Sequence, residues 1–331
     1  MGRAKISLGS GIIVEHGGVR FALDPKSPAR ADYTFVSHAH LDHVHTPATR
    51  TRVIASRATK KLALKRGYDL GETIEHVDGV KLLDSGHILG ARAICIGDEV
   101  LYTGDAAGRE RAFLAKCKTR KARTLIVEST FGSPEYIFPE IPSLLKQVNE
   151  MIARTFEKGR SVVLMGYPLG KAQVLSSLFS AWAPLYVHDT VARMNDIYRE
   201  CGVKMELERV VSGDLEGLPR SPFVMVAPIA NARSEFARRL KKSHDAVFAV
   251  FSGWAIDGGY KNMMGTDYAF PLSDHCDYQE LLKIVNEVSP ELIYTTHGFT
   301  EEFAQELRRQ GFDAKPLDGY QSDLMQYADG D

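Results

Sequence analysis

Up to about residue 140, apolar residues occur in short, separate runs with polar residues between them. The runs Gly11–His16 and Val19–Leu23 flank the pair Gly17-Gly18, which predicts a β-hairpin at the start of the fold. Further buried strands are predicted at Tyr33–Val36, Val80–Leu83, Ala93–Ile96, Val100–Tyr102 and Thr124–Val127, with a helix at Ala58–Arg66. This first part therefore has more strands than helices.

From about residue 141 onward, helical periodicity alternates with apolar runs. Helices are predicted at Ile141–Glu157 and from Lys171, and strands at Ser161–Met165, Leu185–Val187, Phe223–Val226 and Ala246–Phe251. That alternation is typical of a parallel α/β sheet. The closing part predicts helices at Tyr278–Val288 and Glu301–Gln310 with a strand at Leu292–Thr296 between them.

Composition narrows the class of protein. With 331 residues, the chain is longer than one hydrophobic core usually serves, so we expect two domains. The formal net charge of −1 does not by itself indicate a nucleic-acid binder. The four cysteines are dispersed, which argues against a disulfide framework or a thiolate zinc site and favours a cytoplasmic protein. We expect neither a signal peptide nor a membrane span.

The most informative segment is Ser37–His43, which follows a predicted strand and carries the pattern H-x-H-x-D-H. Its potential metal donors are His38, His40, Asp42 and His43. Imidazole nitrogens and carboxylate oxygens bind zinc without any thiolate. Loops at the carboxyl ends of strands are where α/β sheets gather their chemistry, so the pattern predicts a metal site there.

Other potential donors also follow predicted strands. They are His87 after Val80–Leu83, Asp105 after Val100–Tyr102, and His297 after Leu292–Thr296. One loop cannot complete two metal sites, and an aspartate at a strand exit can bridge two cations with its two oxygens. Asp24, at the end of the hairpin, is a candidate for orienting a histidine ligand.

This series of donors resembles the metallo-β-lactamase superfamily. The stretches Glu128–Gly132, Ser273–Asp277 and Thr296–Gly298 are similar to the A, B and C motifs of its β-CASP nucleases. Within that group, the chain length and the stretches Glu128–Gly132, Pro168–Gln173 and Leu272–His275 resemble the compact ligase-associated DNA exonucleases and the short proteins called mRNA 3′-end processing factors. The resemblance covers nearly the whole chain.

The resemblance implies an α/β fold, in which a metallo-β-lactamase αββα sandwich contains an inserted β-CASP domain with a parallel sheet. Residues 1–140 and 256–331 would form the first domain and residues 141–255 the second. One Zn²⁺ would be bound by His38, His40 and His87, the other by Asp42, His43 and His297, with Asp105 bridging and Asp24 steadying a ligand. Mn²⁺ or another divalent metal is the alternative cofactor.

The implied activity is that of a hydrolase, a two-zinc phosphodiesterase that cuts single-stranded DNA or RNA ends. His275 would donate a proton to the leaving oxygen, and Asp42 and Glu128 would be the other catalytic side chains. The resemblance favours an exonuclease in DNA repair over an RNA-processing endonuclease or exoribonuclease. However, His297 in motif C is typical of RNA-directed members.

Three residues of the predicted second domain are candidates for substrate binding: Tyr167, Lys171 and Ser252. Lys171 begins a helix after a glycine-containing turn, a place suited to a backbone phosphate. Tyr167 would either stack on a base or pack within the protein, and Ser252 carries the same ambiguity.

Two other functions are compatible with parts of the sequence. A small-molecule metallo-hydrolase would share the loop from His38 to His43 but would need no inserted domain. A catalytically silent subunit would typically lose ligands, whereas all seven are present here. The expected partners are nucleic acid, a second copy of the chain in a homodimer, and repair or processing proteins.

Overall fold

A computed structural model describes residues 3–46, 51–212, 215, 217–220, 222–230 and 233–317. The chain divides into two compact units. The first contains the described residues of Met1–Glu110, Leu114–Tyr136 and His275–Gln326, and the second contains Arg111–Phe113 and the described residues of Ile137–Asp274. The domain division at 141 and 256 stays a prediction, and the structural units change at Ile137 and His275.

The first unit begins with a six-stranded sheet. Its strands, numbered in chain order, are Lys5–Leu8 (β1), Ile12–His16 (β2), Val19–Leu23 (β3), Tyr33–Phe35 (β4), Arg52–Ile54 (β5) and Thr73–Ile74 (β6), and helix α1, Arg57–Lys65, follows β5. The strands lie in the order β1-β2-β3-β4-β5-β6. The predicted hairpin is confirmed, because β2 and β3 pair antiparallel around Gly17 and Gly18, whose φ angles are +60° and +81°.

A second six-stranded sheet completes the strands of this unit. They are Val80–Asp84 (β7), Arg92–Ile96 (β8), Val100–Tyr102 (β9), Thr124–Ser129 (β10), Leu292–Gly298 (β17) and Ala314–Pro316 (β18), with helices at Tyr278–Val288 (α7) and Thr300–Arg309 (α8). The order is β18-β17-β10-β9-β8-β7. In chain order, each of the two sheets has two antiparallel pairings followed by three parallel pairings.

The two sheets pack face to face through an apolar core. Leu23 and Phe35 of the first sheet belong to the same buried cluster as Ile94, Tyr102 and Ile126 of the second. The rings of Phe35 and Tyr102 meet edge to face, with their centroids 6.3 Å apart. On its other side the second sheet packs against α7 and α8. The unit is therefore a sandwich of two sheets with helices, as predicted.

The second unit contains one sheet in which every pairing is parallel. Its strands are Val162–Gly166 (β11), Tyr186–His188 (β12), Arg209–Val211 (β13), Val224–Pro228 (β14), Val247–Phe251 (β15) and Tyr268–Phe270 (β16), in the order β13-β12-β14-β11-β15-β16. The helices are Ile141–Glu157 (α2), Lys171–Leu178 (α3), Asp189–Glu200 (α4), Glu235–His244 (α5) and Tyr260–Met264 (α6), with a 3₁₀ helix at Gly253–Ile256. The predicted α/β class with a parallel sheet is confirmed.

Within the described part of the chain, no helix combines the length and the apolar composition that crossing a bilayer requires.

We expect Gly86→Ala to destabilise the first unit far more than Gly79→Ala. Both glycines have φ +76°, which costs an alanine about 1–2 kcal/mol, but only Gly86 is closely surrounded. A Cβ at Gly86 would lie 2.7 Å from the Ala107 carbonyl oxygen, whereas nothing lies within 4 Å at Gly79. The clash should add about 1–3 kcal/mol, measured by urea unfolding. Equal losses for the two variants would contradict this.

Candidate metal centre

The donors predicted from the sequence come together at the carboxyl ends of neighbouring parallel strands. Strands β3 and β4 are parallel neighbours in the first sheet, and β9, β10 and β17 are parallel neighbours in the second. Asp24 follows β3, His38 follows β4, Asp105 follows β9, and Glu128 and His297 lie near the ends of β10 and β17. Parallel strands present such ends at one edge of a sheet, so the topology gathers these side chains.

A network around the buried carboxylate of Asp24 holds two of the histidines. Asp24 Oδ1 accepts from the Ser37 amide at 2.7 Å, and Oδ2 accepts from the Ser37 hydroxyl at 2.6 Å and from the Tyr102 hydroxyl at 2.8 Å. His43 Nδ1 lies 2.8 Å from the same Oδ2. His38 Nδ1 lies 2.9 Å from the Ser37 hydroxyl. One carboxylate therefore orients both rings.

These hydrogen bonds assign the tautomers of both rings. An ionised carboxylate only accepts, so His43 Nδ1 must donate to Asp24. The Ser37 hydroxyl uses its hydrogen in the bond to Asp24. His38 Nδ1 must therefore donate a hydrogen bond to the Ser37 oxygen. In the neutral form of both rings, the Nε2 atoms are then acceptors with a lone pair. They are buried and have no hydrogen-bond partner among the described residues, as expected of metal-ligating atoms.

The carboxylate of Asp105 lies between two groups of donors. Its Oδ2 is 3.4 Å from His38 Nε2 and 3.5 Å from His87 Nε2, and its Oδ1 is 3.4 Å from His43 Nε2. A tetrahedral Zn²⁺ with bonds of about 2.0–2.1 Å separates its ligand atoms by about 3.3–3.4 Å. The spacing of these atoms around Asp105 is therefore that expected of ligands to a divalent metal ion.

The remaining donors complete the two groups. His38, His40, His87 and Asp105 offer atoms that all lie within 4.8 Å of one another, and so do Asp42, His43 and His297. His40 Nδ1 is 3.0 Å from His87 Nε2, and Asp42 Oδ2 is 3.4 Å from His43 Nε2. The structure thus brings together all seven predicted ligands, and the nitrogen and oxygen donor set suits zinc.

The charges around His43 favour a positive charge in the centre. Burial lowers the pKa of His43, but the carboxylates of Asp105, Asp42 and Asp24 outweigh it and raise the pKa well above its usual value. Burial raises the pKa of Asp105 to about 7. Burial and the neighbouring His43 lower the pKa of His297 to about 4. A divalent cation would supply the positive charge that a proton on His43 supplies in its absence.

His297 has a backbone conformation that is uncommon for a residue with a side chain. Its φ angle is +58°, and Gly298 follows with φ +67°. The Ser129 hydroxyl, 2.7 Å from the His297 carbonyl oxygen, donates to it. A Cβ at Gly298 would lie 2.4 Å from Thr130 Cα, so this close approach requires glycine. Such strain at a candidate ligand is typical of functional sites.

Glu128 and His275 form a pair beside Asp105. His275 Nδ1 is 3.0 Å from Glu128 Oε2 and 4.0 Å from Asp105 Oδ2. The Ala106 amide donates to Glu128 Oε1 at 2.8 Å, and the Thr130 amide donates to Oε2 at 3.3 Å. Burial raises the pKa of Glu128, but His275 and these hydrogen bonds leave it below its usual value. Glu128 is therefore an anion that orients the ring of His275.

The three candidates for substrate binding lie in the second unit. Lys171 is buried, its Nζ is 3.1 Å from Asp274 Oδ2, and burial lowers its pKa to about 8. The Ser252 hydroxyl accepts from the Trp254 amide at 3.3 Å, where the 3₁₀ helix begins. Tyr167 is half-buried after β11. Their roles in substrate binding stay predictions.

The sequence reasoning missed three residues that hold the centre: Ser37, Tyr102 and Ala106. The role of Ser37 could have been suspected from the sequence, because it is a hydroxyl residue between a predicted strand and the first histidine. Nothing in the sequence indicates the roles of Tyr102 and the Ala106 amide, because their contacts depend on how the sheets pack.

Comparisons with known proteins show which families and proteins this chain is similar to. Residues 268–315 match the family model of the Zn-dependent metallo-hydrolase RNA specificity domain. A probable DNA ligase of Opitutus terrae is 35% identical over 85% of this chain and 28% of its own length. An RNase J-like protein of Methanocaldococcus jannaschii is 28% identical over 53% of this chain and 51% of its own. A chicken (Gallus gallus) DNA cross-link repair 1A protein is 23% identical over 84% of this chain and 31% of its own.

The chain thus spans between 28% and 51% of the length of these three relatives. Together with the two-sheet sandwich and the parallel sheet, the matches confirm the resemblance to the β-CASP group of the metallo-β-lactamase superfamily.

We expect Asp24→Asn to weaken zinc binding about 10- to 100-fold, because the amide cannot accept all the donors that orient His43 and His38. Tyr102→Phe is the matched control, since it removes one donor and leaves the carboxylate in place. Competition with a chromogenic chelator would measure both affinities. An Asp24→Asn affinity equal to that of the parent protein would refute the orienting role.

Zinc binding should release protons near pH 7. The pKa of His43 is raised well above its usual value and that of Asp105 to about 7, so both groups hold protons in this pH range when no metal is bound. Both must lose their protons to bind a metal, so affinity falls as the pH falls. Titration calorimetry in buffers of different ionisation enthalpy would count the protons. A count near zero at pH 7 would contradict the raised pKa values.

Proposed function

We propose that this protein is a zinc-dependent nuclease that hydrolyses phosphodiester bonds at single-stranded ends of nucleic acid. One observation carries the proposal: Asp105 lies between two groups of metal donors and next to the pair formed by Glu128 and His275. A metal centre beside a histidine held by a carboxylate is suited to phosphodiester hydrolysis. The metal would stabilise negative charge on the phosphate, and the histidine would protonate the leaving oxygen.

The proposed ligands follow the two groups. His38, His40 and His87 would hold one Zn²⁺, Asp42, His43 and His297 would hold the other, and Asp105 would contact both. Bound zinc ions would activate water and neutralise charge on the phosphate. Manganese or another divalent metal is the alternative to zinc. Asp42, whose Oδ2 is 3.4 Å from His43 Nε2, would serve as ligand and as a catalytic side chain.

The protein's own proton donor would be His275. Glu128 fixes the ring through Nδ1, so the proton that reaches the substrate would leave from Nε2. The departing 3′ oxygen would receive it, which avoids an unassisted alkoxide and typically accelerates such a step by ~10²–10⁴-fold. The buried Glu128 would also stabilise the positive charge of the ring before the transfer.

Within this activity we favour an exonuclease in DNA repair. The similarity to a probable DNA ligase and to a DNA cross-link repair protein supports DNA as substrate. RNA processing, by exonuclease or endonuclease activity, is the second candidate. It is favoured by the match to an RNA specificity domain and by His297 in motif C. A homodimer, repair or processing partners and a cytoplasmic location stay predictions.

The test is digestion of end-labelled DNA and RNA oligonucleotides of one sequence, with 5′-phosphate or 5′-hydroxyl, by the zinc-loaded chain. We expect shortening from an end, complete loss with a chelator, and no cutting of circular single strands. His275→Ala should lower kcat by about 10²–10⁴-fold while retaining zinc. His188→Asn, which changes a histidine at the start of α4, is the matched control and should keep full activity.

The outcomes separate the candidates. Digestion of RNA alone would favour the second candidate, and cutting of circular strands would indicate an endonuclease. An intact zinc-loaded protein that leaves every substrate uncut would overturn the proposal. Turnover of a chromogenic lactam by such a protein would indicate a small-molecule hydrolase instead.

A further inference from the structure

Two of the four cysteines meet inside the first unit. Cys276 is fully buried in the apolar cluster between the second sheet and helices α7 and α8, and Cys117 packs partly buried against the same cluster. The Cys117 thiol lies close enough to Cys276 to contribute to the raised pKa of the Cys276 thiol. The two residues are far apart in the sequence, so this proximity is created by the fold.

The backbone holds both cysteines against one short segment. The Cys117 amide donates to the Ala107 carbonyl at 2.8 Å, and the Cys276 amide donates to the Ala106 carbonyl at 2.7 Å. The segment itself is fixed, because the Ala107 amide donates to the Ser85 carbonyl at 2.9 Å. The segments that carry the two cysteines are therefore tied to the same stretch of backbone.

We propose that Cys117 and Cys276 are a modification site, an oxidisable pair that a peroxide converts into a disulfide. Hydrogen peroxide would oxidise the Cys117 thiol to a sulfenic acid, and the other peroxide oxygen would leave as water. The Cys276 sulfur would then attack the Cys117 sulfur, and the sulfenic oxygen would leave as water with the Cys276 proton. A dithiol reductant would return both thiols.

The two cysteines differ in the way this sequence of steps requires. Cys117 is partly exposed, and the residues around it, Ala115, Lys116 and Lys118, are exposed, so a small oxidant can reach it. Burial and the contact with Cys117 raise the pKa of Cys276, which keeps it a thiol and protects it from direct oxidation. Cys117 is therefore the sensing cysteine and Cys276 the resolving one.

The disulfide would act on the candidate active site, an effect that depends on the proposed function. Forming it draws the two sulfurs to about 2.05 Å. Cys276 is bonded directly to His275, and its amide holds Ala106, whose own amide donates to Glu128 at 2.8 Å. The movement would thus reach both partners of the Glu128 and His275 pair. A displacement of about 1 Å at such a site can cost about 10²-fold in rate.

The first measurement needs no substrate. The zinc-loaded full chain is treated with hydrogen peroxide, remaining thiols are alkylated, and peptide mass spectrometry identifies the cross-link. We expect one linkage, between Cys117 and Cys276, which dithiothreitol removes. Absence of that linkage when Cys117 has been oxidised further, or a linkage that involves Cys95 or Cys201, would overturn the proposal.

The second measurement compares nuclease rates before and after oxidation. The parent protein should lose about 10²-fold in kcat and recover with dithiothreitol. Cys117→Ser and Cys276→Ala should each keep the basal rate and resist oxidation, and Cys117→Ser keeps the test valid if Cys276→Ala folds poorly. The double variant Cys95→Ala/Cys201→Ala is the matched control and should lose activity like the parent protein.

The two measurements separate the failure of this proposal from failure of the proposed function. If the reduced protein cuts no nucleic acid, the proposed function fails. The cross-linking measurement still shows whether Cys117 and Cys276 form an oxidisable pair. If the reduced protein is active and the cross-linked protein equally active, the effect on His275 is refuted.

Discussion

The candidate centre depends on one buried carboxylate, that of Asp24. It lies at the end of a strand in the first sheet and accepts a hydrogen bond from the Tyr102 hydroxyl in the second sheet. It therefore links the two sheets. It also fixes His43 directly and His38 through Ser37. Replacing it with an apolar group would leave several buried donors unsatisfied, each at a cost of about 1–3 kcal/mol. The same contacts therefore stabilise the sandwich and orient the nitrogens that are proposed to bind metal.

The two sheets share a pairing pattern, and the corresponding strand of each ends near an aspartate of the candidate site. The third strand of each sheet leads to an aspartate, Asp24 in the first and Asp105 in the second. Their surroundings differ, because Asp24 accepts hydrogen bonds from the scaffold whereas Asp105 faces the Nε2 atoms of three histidines. Gly104 lets the sheets approach here, since a Cβ on it would lie 2.7 Å from Ser37 Cβ. One carboxylate orients the ligands, and the other is placed to contact cations.

Much of the fold and of the donor set could be predicted from local patterns. Helices Ile141–Glu157 and Tyr278–Val288 have the predicted bounds, because each has a clear apolar face and a defined start. The short strands Thr73–Ile74 and Ala314–Pro316 show too little alternation of apolar and polar residues to predict. The partners of Asp24 could not be predicted either, because Tyr102 reaches it only through sheet packing.

The position of β17 has a consequence for the order of events during synthesis. This strand pairs with β10, yet the whole stretch Ile137–Asp274 of the second unit lies between them in the sequence. During translation, the early histidines, His38 to His43, are therefore synthesised long before His297. The nascent chain has no complete set of donors until translation has passed that residue. The proposed metal centre would therefore assemble only after the intervening second unit has been synthesised.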